Sequence, residues 1–334
     1  MSLNTAQRGD LTLGQVSRTV IRSPNWLGDA VMTMPALQAW RNQSTEDRVA
    51  VVCPPSLAPL WRLFSWVHEI LPVDPNPVIT ADTIRSFDAH RALVLPNSPR
   101  SAAEIYAADI PERGGFTGGW RKVMLTHTFD RPRQIGPLHH QSLDTLELLR
   151  ALGWVSEHTC LGDPEWMMPA RPDCSQPYLL LCPGAEYGEA KRWSPARFAS
   201  VADRLAEEKG WLVILAGAEN DKDASAQVAR RMQHPYLNLT GTTSLDVFMS
   251  WVAHARLVLS NDSGAMHLAA LFKTPAVAVF GSTEPAMTGP ISESVNVVRE
   301  DVPCSPCFLR QCPIDFRCMN QLSVDTVLAA CRAA

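Results

Sequence analysis

The sequence predicts an α/β protein made of two parallel-sheet domains in tandem. Short β-branched runs alternate with helical stretches along most of the chain, the pattern of strand–helix–strand units. The alternation breaks at 154–177, where Pro164, Pro169, Pro172 and Pro177 replace periodicity and mark a linker. The 334 residues also suit two domains at roughly 100–200 residues each. In tandem open sheets of this kind the cleft between domains is the expected site.

Each element follows from local pattern. A polar tail (1–17) precedes the first domain (18–153), which opens with a strand at 19–22 (TVIR). A helix follows at 30–40, with Ala30, Val31, Met34 and Leu37 on one side. Strands are expected at 48–53 and 91–95, and helices at 57–64, 101–107 and 142–152, with Gly153 as the stop of the last. The second domain (178–320) restarts the rhythm with strands at 178–182, 211–216, 236–239, 256–260 and 276–280. Its helices are expected at 195–209, 221–232, 245–253 and 264–272, with a C-terminal helix in 321–334.

Composition narrows the function. With 46% hydrophobic and 19% charged residues the chain is neither disordered nor fibrous. Thirty Lys and Arg against 34 Asp and Glu leave a net charge of −4, without the cationic excess of a nucleic-acid binder. Any anionic ligand must be met by local groups. No apolar run spans a bilayer, and the first 17 residues lack the apolar core of a signal peptide, so a cytoplasmic protein is expected. Nine cysteines make an odd count, against a disulfide framework.

Four loops could carry chemistry. Ser23-Pro24-Asn25-Trp26-Leu27-Gly28-Asp29 runs from the first strand into a helix and places a carboxylate where open sheets bind ligands. Asp29 also reads as a helix-capping or first-turn acid. The segment 183–195 carries two glycines, Lys191, Arg192 and the helix-opening pair Ser194-Pro195, but lacks Walker spacing. Its Lys191 is either a phosphate ligand or a surface cation. In Ser260-Asn261-Asp262-Ser263-Gly264-Ala265-Met266-His267, unpaired N–H groups at a helix start make an anion site. Capping by Asp262 or Ser263, and a core role for His267, are the plain alternatives. The stretch 113–122, with four glycines, Arg113, Arg121, Lys122, Phe116 and Trp120, suits a mobile loop gripping an anionic or sugar-bearing partner, or else a glycine-rich hairpin.

These segments together resemble the bacterial ADP-heptose:lipopolysaccharide heptosyltransferases, a glycosyltransferase family of GT-B fold. The resemblance covers the chain from about residue 19 to its end and rests on NWLGDAVMTMPAL (25–37), LPNSPRSA (95–102), PERGGFTGGWR (111–121), PGAEYGEAKRW (183–193) and NDSGAMHLAA (261–270). The second and third are more similar to the heptosyltransferase II branch than to heptosyltransferase I. The resemblance implies two Rossmann-like domains facing each other across a cleft, the first binding acceptor and the second binding nucleotide sugar. It implies inverting transfer of heptose from ADP-heptose to inner-core lipopolysaccharide linked to lipid A, with only peripheral contact with the inner membrane. Asp29 becomes the catalytic base and Lys191 the phosphate cation. Asp262, Ser263, Gly264 and His267 become donor-binding, with Glu219 on the ribose and Thr243 near the adenine. Asn25, Arg113, Arg121 and Lys122 are the acceptor-side candidates.

On this reading Lys191 and helix N–H groups do what a metal does elsewhere, so no cofactor is required. Cys304, Cys307, Cys312 and Cys318 form C-x2-C-x4-C-x5-C, which has the look of a structural zinc site. The short third interval and the missing second C-x2-C count against zinc, and reduced thiols or a local disulfide fit better. Two other functions suit the same residues: a GT-B transferase using another nucleotide sugar, and a non-catalytic sugar-nucleotide-binding protein.

Overall fold

The computed structural model describes residues 17–131 and 138–334; the expected polar tail lies almost wholly outside them. The first domain places β1 (Arg18–Arg22), β2 (Arg48–Cys53), β3 (Glu69–Pro72), β4 (Arg91–Val94), β5 (Glu112–Phe116) and β6 (His127–Phe129) in one sheet ordered β3-β2-β1-β4-β5-β6. Around it lie α1 (Leu27–Arg41), α2 (Ala58–Trp61), α3 (Pro77–Ser86), α4 (Pro99–Ala107) and α5 (Gln141–Ala151). The second domain contains β7 (Tyr178–Cys182), β8 (Leu212–Leu215), β9 (Tyr236–Asn238), β10 (Leu257–Asn261), β11 (Ala276–Phe280) and β12 (Val295–Arg299), ordered β12-β11-β10-β7-β8-β9. Its helices are α6 (Pro195–Lys209), α7 (Lys222–Ala229), α8 (Leu245–Ala253), α9 (Gly264–Leu271), α10 (Pro285–Thr288), α11 (Arg317–Asn320) and α12 (Val324–Ala333).

Every pairing is parallel, with registers such as Val20↔Ala50 and Ile21↔Leu93 in the first sheet and Leu259↔Leu181 in the second. Central strands buried on both faces explain the near-continuous apolar runs RVAVVC and YLLLC. Counted within each domain, both sheets have the doubly wound Rossmann order. The order reverses between β1 and β4, and again between β7 and β10. Ligands of such sheets bind at those reversals, outside the carboxyl ends of the strands.

The glycine-rich stretch is not a mobile loop. Residues 112–116 are strand β5, and 119–123 form a single 3₁₀ segment. Glycine is required here by crowding: a Cβ on Gly114 would come within 2.6 Å of the Leu152 methyls, and one on Gly115 within 3.0 Å of the Val94 carbonyl oxygen. The helix expected at 57–64 also breaks up, into a 3₁₀ turn at Pro55–Leu57 and the four-residue α2. Its end tightens to three-residue bonds, Leu63 N to Leu60 O and Phe64 N to Trp61 O.

The linker is laid down rather than loose. Gly162 N donates to Pro35 O and Glu165 N to Gln38 Oε1 on α1. On the other side, Trp166 packs edge-on against Phe272 at 5.0 Å and Lys273 pairs with Asp163 at 2.6 Å. The apolar core is therefore continuous from Met34 and Leu37 on α1 to Met266 and Ala269 on α9.

Candidate active site

The functional loops meet where α1 and α9 touch by their first turns. A Cβ on Gly28 would lie 2.8 Å from His267 Cδ2, and one on Gly264 would lie 2.9 Å from Leu27 Cδ2. Each helix start thus needs its glycine so that the other can approach.

Asp29 sits in the first turn of α1, behind Trp26 at the cap position, so it is not the capping residue. It lines a cavity of about 370 Å³ with Asn25, Thr33, Asn97, Arg131 and Asp144. These residues come from α1 and α5 and from the carboxyl ends of β1, β4 and β6. Burial raises the Asp29 carboxyl above the usual range, while Lys191 and Arg131 pull it back. Lys191 belongs to the second domain, so the two domains act on this carboxyl together.

On that second domain the carboxyl end of β7 leads into the loop carrying Lys191. Lys191 Nζ lies 2.5 Å from Asp262 Oδ2 and 4.7 Å from the centre of the Tyr187 ring. Thr283 Oγ1 also donates to Asp262 Oδ2, at 2.5 Å. Asp262 is therefore a counter-ion rather than a cap, and Ser263, at the cap position of α9, makes no side-chain capping bond. No capping side chain therefore takes up the first N–H groups of α9. Asn261 fixes the phosphate-type loop at both ends, donating to Pro183 O at 2.7 Å and accepting from Trp193 N at 3.0 Å. His267 is buried against Gly28, and burial holds its imidazole down at about 4, which keeps it neutral at pH 7.

Glu219 and the turn that carries Thr243 lie together at the carboxyl ends of β8 and β9. Glu219 is exposed, bonded to Lys222 at 2.7 Å, and a Cβ on Gly241 would be 2.8 Å from its Oε2. Thr243 follows, half-buried, just ahead of α8. Asp221 was not foreseen: its carboxylate fills the space over Gly184, where a Cβ would come within 1.9 Å of its Oδ1.

The cations proposed for the acceptor fare differently. Arg113 bonds Met124 O and Ile110 O and lies over Tyr106, none of which lines the cavity. Lys122 is exposed on the 3₁₀ segment, also away from the cavity. Arg113 lies on strand β5 and Lys122 on the 3₁₀ segment, rather than together on one loop. Arg121 is fully buried and bonds Asn97 Oδ1 at 2.9 Å. The cation that does line the cavity is Arg131, at 3.3 Å from Asp144 and 5.2 Å from the Phe116 ring centre. Asn25 lines it too, held by Arg22 Nη1 at 3.1 Å. No motif distinguishes Arg131 in the sequence.

The four clustered cysteines lie near enough together that Cys304, Cys307 and Cys312 all raise the Cys318 thiol, after burial as the larger cause. Among the described residues no three His, Cys, Asp or Glu side chains converge on a common point, and all nine cysteines are free thiols. Cys318 is buried in the second core, Cys307 is exposed, and Cys312 Sγ accepts from Phe316 N. The loop instead braces the donor side: Tyr187 Oη donates to Phe308 O and Ala190 N to Arg310 O. Among the described residues no helix is long and apolar enough to cross a membrane.

Comparison with known proteins agrees with this geometry. The profile of Glycosyltransferase family 9 (heptosyltransferase) matches residues 80–316. Lipopolysaccharide heptosyltransferase 2 of Escherichia coli K12 is 28% identical over 306 residues, covering 84% of this chain and 88% of that one. The solved E. coli ADP-heptose heptosyltransferase II superposes with a TM-score of 0.81 at 25% identity, over 95% of this chain and 98% of the other. E. coli WaaC, solved with ADP, shares the fold at a TM-score of 0.70 and 19% identity, over 93% and 97%. With two facing doubly wound domains of GT-B type, the chain belongs to glycosyltransferase family 9, the heptosyltransferases.

Proposed function

We propose that this enzyme moves heptose from ADP-heptose to the inner core of lipopolysaccharide, with the acceptor preference of a heptosyltransferase II. The carrying observation is that the first turn of α1, which holds Asp29, packs against the first turn of α9, next to the Lys191–Asp262 pair of the second domain. Asp29 takes the proton of the acceptor hydroxyl, whose oxygen attacks the anomeric carbon from the face opposite ADP and inverts it. Positioned general-base catalysis of this kind contributes roughly 10²–10⁴-fold. Lys191 and the first N–H groups of α9 meet the charge growing on the diphosphate. His267 stays neutral beside them, contributing a hydrogen bond rather than a charge. Glu219 and the Thr243 turn are assigned to the nucleoside, Asn25 and Arg131 to the acceptor.

Transfer is expected to proceed without a divalent ion, the charge on the diphosphate being met by the first N–H groups of α9 and by Lys191 once the nucleotide competes with Asp262 for it. Turnover is expected to be unchanged by EDTA and not raised by added magnesium; a requirement for the ion would show that the cations are insufficient. Contact with the membrane is peripheral, through the lipid A of the acceptor. The deciding assay supplies ADP-heptose with lipopolysaccharide precursors carrying zero, one or two heptoses. Transfer is expected to the one-heptose acceptor; transfer only to the heptose-free one would assign the enzyme to the preceding step.

A further inference from the structure

Arg121 is the one fully buried guanidinium among the largest buried side chains, and it borders the acceptor cavity without lining it. A guanidinium stays charged and only donates hydrogen bonds. Its Nη1 is 2.9 Å from the side-chain amide of Asn97, at the carboxyl end of β4. The Asn97 atom facing a donor-only group must be its carbonyl oxygen, which settles the orientation of the amide on chemical grounds. Asn97 is exposed and lines the cavity that contains Asp29. Its NH₂ therefore falls on the branch turned from Arg121. Gly115 makes room for this arrangement, since a Cβ there would lie 3.2 Å from Arg121 Nη2.

We infer that Arg121 is a positioning residue that locks the Asn97 amide so that its N–H donates to an oxygen of the acceptor sugar beside Asp29. A freely rotating amide would present oxygen or nitrogen about equally; one held by a buried cation presents only the donor. This selects an acceptor that offers an acceptor atom, a hydroxyl or carboxylate oxygen, at that position. The inference rests on the proposed identity of the cavity as the acceptor site.

Asn97→Asp is the central variant. Its carboxylate keeps the bond to Arg121 and makes it an ion pair, so melting temperature is not expected to fall, but it faces the sugar with no donor and a negative charge. The acceptor KM is expected to rise about tenfold with the ADP-heptose KM unchanged. Arg121→Met is expected to raise acceptor KM like Asn97→Ala, and the double variant to be no worse than either single one, with Arg121→Lys restoring part of the loss. Acceptor KM within about twofold of the unaltered protein in Asn97→Asp overturns the inference. Independent, multiplying effects of Arg121→Met and Asn97→Ala overturn the positioning link. Failure of the unaltered protein to transfer heptose to any lipopolysaccharide acceptor is a different result, and it removes the acceptor reading and this inference together.

Discussion

Asp29 illustrates how a residue's neighbours decide between two roles that the sequence leaves open. A first-turn acid on a solvated surface is stabilised by the helix dipole, yet burial here outweighs that and raises its proton affinity. A carboxylate with a raised folded-state pKa costs stability once it is ionised, above that pKa. Asp29→Asn is therefore expected to melt at the same or a higher temperature at pH 7 while turnover falls at least about 10²-fold; calorimetry beside the transfer assay checks both. In the unaltered protein kcat/KM should fall as pH drops through the raised Asp29 value, because only the ionised base accepts the proton. Asp29, Lys191 and Asp262 were legible because each stands at a strand end entering a helix. Arg131 and Asn97 were not, since they reach the cavity only because distant chain segments fold onto it, and Asp221 reaches its place over Gly184 in the same way. Arg113 has the composition of a binding loop, a cation beside glycines, while its guanidinium bonds the Ile110 and Met124 carbonyls away from the cavity.

At the scale of elements, strands with β-branched runs such as β2 and β11 were readable at their observed limits. Strand β5 was hidden because its two glycines have low strand propensity and answer to Leu152 and Val94 instead. The short edge strands β3 and β12 give little periodic signal and gain their identity from pairing with β2 and β11. The contact between α1 and α9 is the element-level feature with the clearest test. Gly28→Ala forces either His267 or the whole first turn to move, since the new methyl would sit 2.8 Å from the ring. We expect a loss of about 1–3 kcal/mol in stability and a larger loss in turnover, measured by urea denaturation and transfer rate. Wild-type kinetics in this variant would show that the two helix starts are not held in productive contact.

Across the whole molecule, the repeated doubly wound order gives each domain one reversal of its sheet, and the reversals face each other through α1 and α9. The linker bonds to both sides and ties the two domains along that edge. The Lys191–Asp262 pair then has a consequence for the end of the cycle. A lysine already matched by a buried carboxylate cannot hold diphosphate as tightly as a bare one, because the nucleotide must compete with a resident anion for it. On the proposed reading, Asp262, 2.5 Å from the ammonium, competes with the diphosphate for Lys191 and favours the departure of ADP. Asp262→Asn should accordingly bind ADP more tightly yet lower the steady-state rate, with a burst of product in the first turnover; weaker ADP binding would show that Asp262 serves the nucleotide's arrival. The carboxylate that blunts the proposed donor site is on this account what keeps it from being trapped by its own product.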